Sequence, residues 1–151
     1  MSIRFAAILL IAAVSATAQA ATYQVEEIGT FPQESTAPMR WRQIAPSRGG
    51  DNAIEGSTTV HVRLNLAPWQ NRNGRLFLVL PQQPLVEIHA SWTTQGRLLP
   101  GRLKSGERQL VYNGPITSPV LEDTLVLILE TDGTRLSSAL RLQFHFEVDV
   151  D

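Results

Sequence analysis

The chain has 151 residues, with 13 basic and 14 acidic side chains and a formal net charge of −1 at pH 7. A chain this close to neutrality has no overall field to attract nucleic acid or an anionic membrane surface, so we predict neither as a partner. It contains no cysteine. Disulfides and cysteine chemistry are therefore excluded, and the fold must rest on its hydrophobic core.

The first twenty residues, MSIRFAAILLIAAVSATAQA, have the layout of a secretory signal peptide. Arg4 supplies a positive start, residues 5–14 an apolar core, and residues 18–20 a small-x-small cleavage signal. The apolar run is shorter than the roughly 20 residues that span a bilayer, so we expect no membrane anchor. We predict cleavage after Ala20 and a single mature domain over residues 21–151. Export without disulfides favours a bacterial periplasm or cell surface as its location.

Beyond the signal segment the sequence predicts strands and no convincing amphipathic helix, because apolar residues recur with a period of two. A first strand is predicted over residues 23–31, with a bulge where Ile28 breaks the alternation. A short second strand is predicted over residues 39–44, around Trp41. The glycine-rich and polar residues 45–57 are predicted to form a long loop.

The later strands alternate more regularly and are separated by turn signals that contain Gly, Pro, Asn or Asp. They are predicted over residues 58–66, 75–80, 86–92, 109–112, 124–130 and 140–151. Two of them, RLFLVL and TLVLILE, have apolar residues at both odd and even positions, and so on both faces of the strand. This is typical of central strands covered on both sides. We predict an all-β, antiparallel immunoglobulin-like β-sandwich of about seven or eight strands. A small β-barrel is the alternative.

The cleanest alternation lies in the last segment, LRLQFHFEVDVD. Its six apolar positions on one face predict a half-buried final strand that packs into the sandwich. The alternative is that this strand, or the first one, pairs with another chain at an exposed sheet edge. On the opposite face, Glu147, Asp149 and Asp151 collect negative charge, which would discourage aggregation between edges.

No catalytic motif is present: there is no G-x-S-x-G, no P-loop and no H-E-x-x-H. His61, His89 and His145 fall on outward positions of three separate predicted strands, so we interpret them as independent rather than as a metal site. We therefore predict that the protein is not an enzyme and has no catalytic residue, cofactor or metal.

The most basic stretch is GRLLPGRLKSGER, residues 96–108. Its cations are Arg97, Arg102, Lys104 and Arg108. Guanidinium groups bind carboxylates with two parallel hydrogen bonds, so this segment is a candidate for gripping an acidic glycan or a carboxylate-rich protein. The alternative is that its glycines shape a hairpin while its arginines keep the surface soluble.

The three tryptophans differ in their predicted environments. Trp92 ends an alternating strand with inward parity and is predicted in the core, and Trp41 is predicted to pack inward. Trp69 precedes a turn and is predicted to be the most exposed of the three. An exposed indole can stack on a sugar or anchor a protein interface; alternatively, Trp69 caps the end of the sandwich. Trp69 completes the predicted binding set with the four cations of residues 96–108.

These observations predict an exported, non-enzymatic β-sandwich that acts by protein–protein contact, for example as a subunit or periplasmic accessory factor of a pilus or adhesin system. Its expected partner is another periplasmic or surface protein, bound at an edge strand or at the basic segment. The alternatives are a carbohydrate-binding module that uses Trp69 and the arginines, or a small hydrolase or metal-binding protein.

Overall fold

The computed structural model describes residues 20–33, 36–43 and 49–151. The predicted signal segment, apart from Ala20, lies outside the described residues. The described part contains eleven strands, one 3₁₀ helix (Ala67–Trp69) and no α-helix. The strands are β1 Ala21–Gln24, β2 Glu26–Glu27, β3 Phe31–Pro32, β4 Arg40–Trp41, β5 Ala53–Asn65, β6 Asn73–Leu80, β7 Ile88–Thr94, β8 Gly101–Lys104, β9 Glu107–Pro115, β10 Val120–Asp132 and β11 His145–Val150.

The strands form two antiparallel sheets. A four-stranded sheet has the order β1-β11-β6-β9, and a seven-stranded sheet has the order β2-β5-β10-β7-β8, with β3 and β4 also paired to β5. The prediction of an all-β antiparallel fold is confirmed. No helix in the described ranges is long and apolar enough to cross a membrane.

The hydrophobic core contains the inward residues of both sheets. Its largest fully buried side chains are Leu64, Leu76, Leu80, Val111 and Val148. Burial of each such side chain is worth about 1.5–3 kcal/mol, and this core must stabilise the fold without covalent cross-links. Trp92 is also buried, as predicted, and its indole N–H donates to the carbonyl of Leu99 at 3.0 Å.

The two segments with apolar residues on both parities are central strands, as predicted: β6 lies between β11 and β9, and β10 lies between β5 and β7. The prediction that both of their faces are covered is wrong for β10. Val126 and Ile128, on its outward face, are 36% and 38% exposed. The four-stranded sheet covers only one side of the seven-stranded sheet, so within the described part of the chain these side chains have no second layer over them.

The predicted first strand spans parts of three strands, of which β1 belongs to the four-stranded sheet and β2 and β3 to the seven-stranded sheet. β1 pairs with β11, β2 pairs with β5, and the chain crosses between the sheets at Val25. The side chain of Val25 is buried and its N–H donates to the carbonyl of Phe146 at 2.8 Å. The break in alternation that we interpreted as a bulge at Ile28 therefore accompanies a change of sheet. In the four-stranded sheet, the pairing of β6 with β9 shifts register between Leu76 and Phe77, as at a β-bulge.

The predicted loop over residues 45–57 ends earlier than expected, because β5 begins at Ala53. β5 pairs with β10 along its whole length, from Asn65 opposite Val120 to Ala53 opposite Asp132. Pairing with β10 therefore extends β5 to residues 53–57, although their sequence shows no alternation of apolar and polar residues. Residues 44–48 of the predicted second strand and loop lie outside the described residues, and the described part of that strand is β4.

The basic segment 96–108 contains a strand that the sequence did not reveal, β8. β8 and β9 follow each other but belong to different sheets, so they are not a hydrogen-bonded hairpin. Ser105 and Gly106 connect them: the N–H of Ser105 donates to Ile88 of the seven-stranded sheet, and the N–H of Gly106 donates to Leu80 of the four-stranded sheet, both at 2.8 Å. Gly106 has φ +90°, a conformation that favours glycine.

The terminal strand is shorter than predicted, since β11 begins at His145 and residues 140–144 are outside it. β1 pairs along one edge of β11 and β6 along the other, so both edges of the terminal strand are paired within the chain. Phe146, Val148 and Val150 are buried. Among the described strands, the edges of this sheet are instead β1 and β9.

Candidate functional site

The outer face of the four-stranded sheet is closed by ion pairs. Arg108 of β9 donates two hydrogen bonds to the carboxylate of Asp149, at 3.3 and 3.0 Å, and a third to Glu147 at 3.1 Å. Its guanidinium lies 4.0 Å from the ring centroid of Phe77. Arg75 adds a second positive charge 3.9 Å from Asp149. The acidic residues of the terminal strand are thus largely neutralised within the chain.

The electrostatics of Asp149 depend on this network. Burial alone would raise the pKa of its carboxyl. Hydrogen bonds from Arg108 and Thr22, the latter at 2.6 Å, outweigh that cost and hold the pKa below its usual value of 3.8. The hydrogen bonds of Arg108 to Asp149 and Glu147 raise the pKa of its guanidinium, although burial opposes this. This face is therefore charged, paired and tightly hydrogen-bonded.

The outer face of the seven-stranded sheet is different. We use the name "open face" for its six central outward residues, Ser57, Thr59, Ser91, Thr93, Val126 and Ile128. In the register of the sheet, Val126 lies between Thr59 and Thr93. Ile128 lies between Ser57 and Ser91, one row further along the same face.

The local sequence explains this pattern. β10 places two branched apolar residues about 6.7 Å apart along its outward side, because side chains of one face repeat every second residue. The neighbouring strands place only small hydroxyl-bearing residues beside them, which are too short to cover a valine or isoleucine. Two large apolar side chains consequently remain accessible on this face of the sheet.

Charged residues border the open face. At one end Arg42 forms ion pairs with Glu130 and, at 3.5 Å, with Glu55. Along the β8 edge, Arg102 lies opposite Ser91 in the register, and Lys104 lies opposite His89. The Lys104 ammonium is 3.8 Å from Glu87. An apolar centre with a polar, charged border is the usual anatomy of a protein interface.

The structure does not bring the predicted binding set together. Arg102 and Lys104 border the open face, Arg97 is exposed in the loop between β7 and β8, and Arg108 belongs to the ion pairs of the other sheet. Trp69 is half-buried against the core, with its ring centroid 5.8 Å from that of Tyr23. Their role in binding stays a prediction.

The relative exposure of the tryptophans differs from the prediction. The exposed indole is that of Trp41, at 43%, whereas Trp69 is partly covered. Trp41 belongs to a two-residue strand at the sheet margin, where it reaches over Gly133. A Cβ at Gly133 would lie 2.6 Å from the ring, so only glycine admits this packing. The packing of Trp41 on Gly133 joins residues far apart in the chain, so the alternation around Trp41 does not predict it.

The three histidines lie on different strands, His61 on β5, His89 on β7 and His145 on β11. His89 lies 2.9 Å from Glu87, and His145 lies 3.4 Å from Glu147. Within the described part of the chain, no group of three or more His, Asp or Glu residues is arranged to hold a metal ion.

The described surface has shallow grooves, of which two lie beside titratable side chains. The larger, of about 690 Å³, lies beside the open face and is lined in part by Phe31, His61 and Glu122. The smaller, of about 460 Å³, lies where the chain crosses between sheets, beside Glu27 and His145. Partial burial raises the pKa of Glu27, and the nearby His145 opposes that effect.

Sequence reasoning missed the open face and Phe31 as binding features. The available signal was the apolar run TLVLILE on both parities, together with Ser and Thr at the outward positions of β5 and β7. Comparisons with protein-family models, with curated proteins and with solved structures found no match to this chain.

Proposed function

We propose that this protein is an exported, non-enzymatic immunoglobulin-like β-sandwich that binds another protein through the open face. The observation that carries this proposal is the pair Val126 and Ile128, side by side on a sheet surface and more than one third exposed. Covering them would remove apolar area from water at about 25 cal/mol per Å², which is a driving force for association.

The contrast between the two outer faces supports the choice of surface. On the four-stranded sheet, Arg108 covers Phe77 and satisfies two carboxylates, which leaves few unsatisfied groups for a partner. On the seven-stranded sheet, no comparable cover lies over Val126 or Ile128 among the described residues. A partner that docks here gains hydrophobic contact without first breaking ion pairs at the centre of the site.

The border of the open face favours a partner with carboxylates at its rim. Arg102 and Lys104 supply cations along the β8 edge, and both are exposed. Rim charges act mainly on association rate and partner choice, whereas the apolar centre supplies affinity. In this proposal the protein serves as a subunit or accessory factor of a bacterial surface structure, in the periplasm or at the cell surface.

The test is site-specific photo-cross-linking in a cell that exports the full chain. A photoreactive amino acid at position 128 is expected to capture one discrete partner. The matched control places it at Leu85, which is 78% exposed and belongs to the connection between β6 and β7 rather than to the open face. The captured protein is then purified and its affinity for the wild-type chain is measured.

In that measurement Ile128→Asp is expected to weaken binding at least about tenfold, because it places a charge at the apolar centre. Leu85→Asp is expected to leave the affinity unchanged. Equal cross-linking at positions 85 and 128, or equal affinity of Ile128→Asp and wild type, would contradict the proposal.

A further inference from the structure

The larger groove has an aromatic wall at Phe31. Phe31 belongs to the two-residue strand β3 and lies opposite His61 in the register of the sheet. Its side chain is 55% exposed, and its ring centroid is 5.3 Å from that of His61, with the rings tilted by 45°. An aromatic ring held half in water is stabilised when a flat apolar surface covers it.

The backbone beside Phe31 is held in place by hydrogen bonds. The hydroxyl of Thr30 accepts the N–H of Arg63 at 3.0 Å and donates to the carbonyl of the same residue at 3.2 Å. The N–H of Ile28 also donates to that carbonyl, at 3.0 Å. These bonds fix the short segment before β3 against β5, so the ring is presented from a defined backbone position.

Polar groups face the same groove. The Arg63 guanidinium pairs with Glu122 at 3.0 Å, and both side chains are more than half exposed, so each retains hydrogen-bonding capacity toward water or a ligand. Gln95 supplies an amide on the far wall. The hydroxyl of Thr124 lies 3.3 Å from Nδ1 of His61.

The charge of the groove selects against anionic ligands. Glu122 and Asp123 bring two carboxylates, and Arg63 brings one cation. Asp123 is buried and accepts the N–H of Leu98 at 2.8 Å and that of Thr124 at 2.6 Å, so it shapes the floor rather than reaching outward. No second cation is among the residues that line this groove.

The rim favours glycine at position 96. A Cβ at Gly96 would lie 2.9 Å from the Asp123 carboxylate, closer than side-chain carbons approach. With glycine there, the loop packs directly on Asp123 and the groove stays open on that side. An open groove covers one face of a ligand and leaves the other hydrated.

From this geometry we infer that the groove binds an uncharged pyranose sugar. The apolar face of the sugar ring stacks on Phe31, and its hydroxyl groups exchange hydrogen bonds with Glu122, Arg63 and Gln95. A pyranose combines one apolar face with a polar rim, which matches a single aromatic wall surrounded by donors and acceptors. This site is separate from the six residues of the open face and does not depend on the proposed function.

The experiment titrates the full mature chain with tetrasaccharides of glucose, mannose, galactose and N-acetylglucosamine while amide NMR signals are recorded. At least one sugar is expected to shift the signals of residues 28–31, 61–63 and 122–124 in a saturable way. Phe31→Ala is expected to weaken that binding about tenfold, the scale of one lost aromatic stacking contact. Phe31→Trp is expected to retain it.

Two controls make the result specific. Tyr23→Ala removes another exposed aromatic ring outside the groove, and Ile128→Asp disrupts only the open face; both are expected to bind the sugar as the wild type does. The inference is overturned if none of the four sugars shifts these signals, if the shifts lie elsewhere, or if folded Phe31→Ala binds with unchanged affinity.

Discussion

The guanidinium of Arg108 on β9 donates two hydrogen bonds to the carboxylate of Asp149 on β11, although strand β6 lies between them. The arginine crosses the ring of Phe77 on that intervening strand, with 4.0 Å between its Cζ and the ring centroid. One side chain therefore joins three strands of the four-stranded sheet. It combines a bidentate ion pair with a cation–π contact.

Arg108→Ala is expected to lower the free energy of unfolding by about 1–3 kcal/mol. The change leaves the buried Asp149 carboxylate without its main donor, and the partial exposure of Arg108 moderates the loss. The free energy of unfolding of Arg108→Lys should lie between those of wild type and Arg108→Ala, because an ammonium cannot replace both hydrogen bonds to Asp149. Urea unfolding provides the measurement, with Arg102→Ala as a matched exposed arginine. A loss at position 108 no larger than at position 102 would contradict this role.

Stability is expected to fall in acid as Asp149 becomes protonated. Its pKa is lowered in the folded state, so its contribution is fully present above the usual pKa of 3.8 and is lost as the pH drops through the folded value. The free energy of unfolding of Asp149→Asn should lie below that of wild type at pH 7, and the two should converge as the pH falls through the lowered folded pKa of Asp149.

Asp132 contributes acid sensitivity of the same sign, because its carboxylate accepts both the hydroxyl and the N–H of Thr134 and its pKa is lowered. Asp149→Asn should therefore keep part of the acid dependence. Unfolding curves measured from pH 7 down into the acid range well below 3.8 check this. A constant gap between wild type and Asp149→Asn over the whole range would show that ionisation of Asp149 does not stabilise the fold.

Adjacent residues of β10 are expected to respond in opposite ways to truncation. Leu127 is buried between the sheets, so Leu127→Ala should cost about 2–5 kcal/mol. Ile128 points to the open face, so Ile128→Ala should cost less than about 1 kcal/mol. Chemical unfolding of the two purified variants decides the matter. Equal large losses would mean that the monomer already covers the face on which Ile128 lies.

Three successive residues, the last before β11 and the first two of that strand, should also differ in their response to truncation. Phe146 is buried on β11, and Phe146→Ala is expected to cost about 3–5 kcal/mol. Phe144 is only partly buried and precedes the strand, so its truncation should cost less. His145→Ala should stay within about 0.5 kcal/mol. Thermal and urea unfolding of the three variants give the order, and similar small effects at all three would mean that this strand is not packed.

Several features of the fold could be predicted because they depend on neighbours in the chain. The alternation in residues 60–66 places Val62, Leu64 and Leu66 inward, and they are buried. β6 and β10 were identified as central from apolar residues on both parities. The sheet change at Val25 and the strand β8 could not be found this way, since each depends on which distant strand offers hydrogen bonds.

The candidate sites also combine features visible in the sequence with features that depend on which distant strands pair. Arg102 and Lys104 are visible in the sequence as a basic segment, but the pairing of β7 with β8 places them beside the open face. Arg108 belongs to the same segment, yet the chain has by then crossed to the other sheet, where Asp149 neutralises it. Charge in a sequence does not show whether a partner already lies within the fold.

The amino-acid sequence by itself determined that this protein is built of antiparallel strands, because side-chain polarity with a period of two favours a sheet with one wet and one dry side. The tertiary structure alone decided which outward residues remain uncovered. Val126 is exposed because Thr59 and Thr93, distant in the chain, are too short to cover it. Exposure depends on packing between strands, and periodicity within one strand does not contain that information.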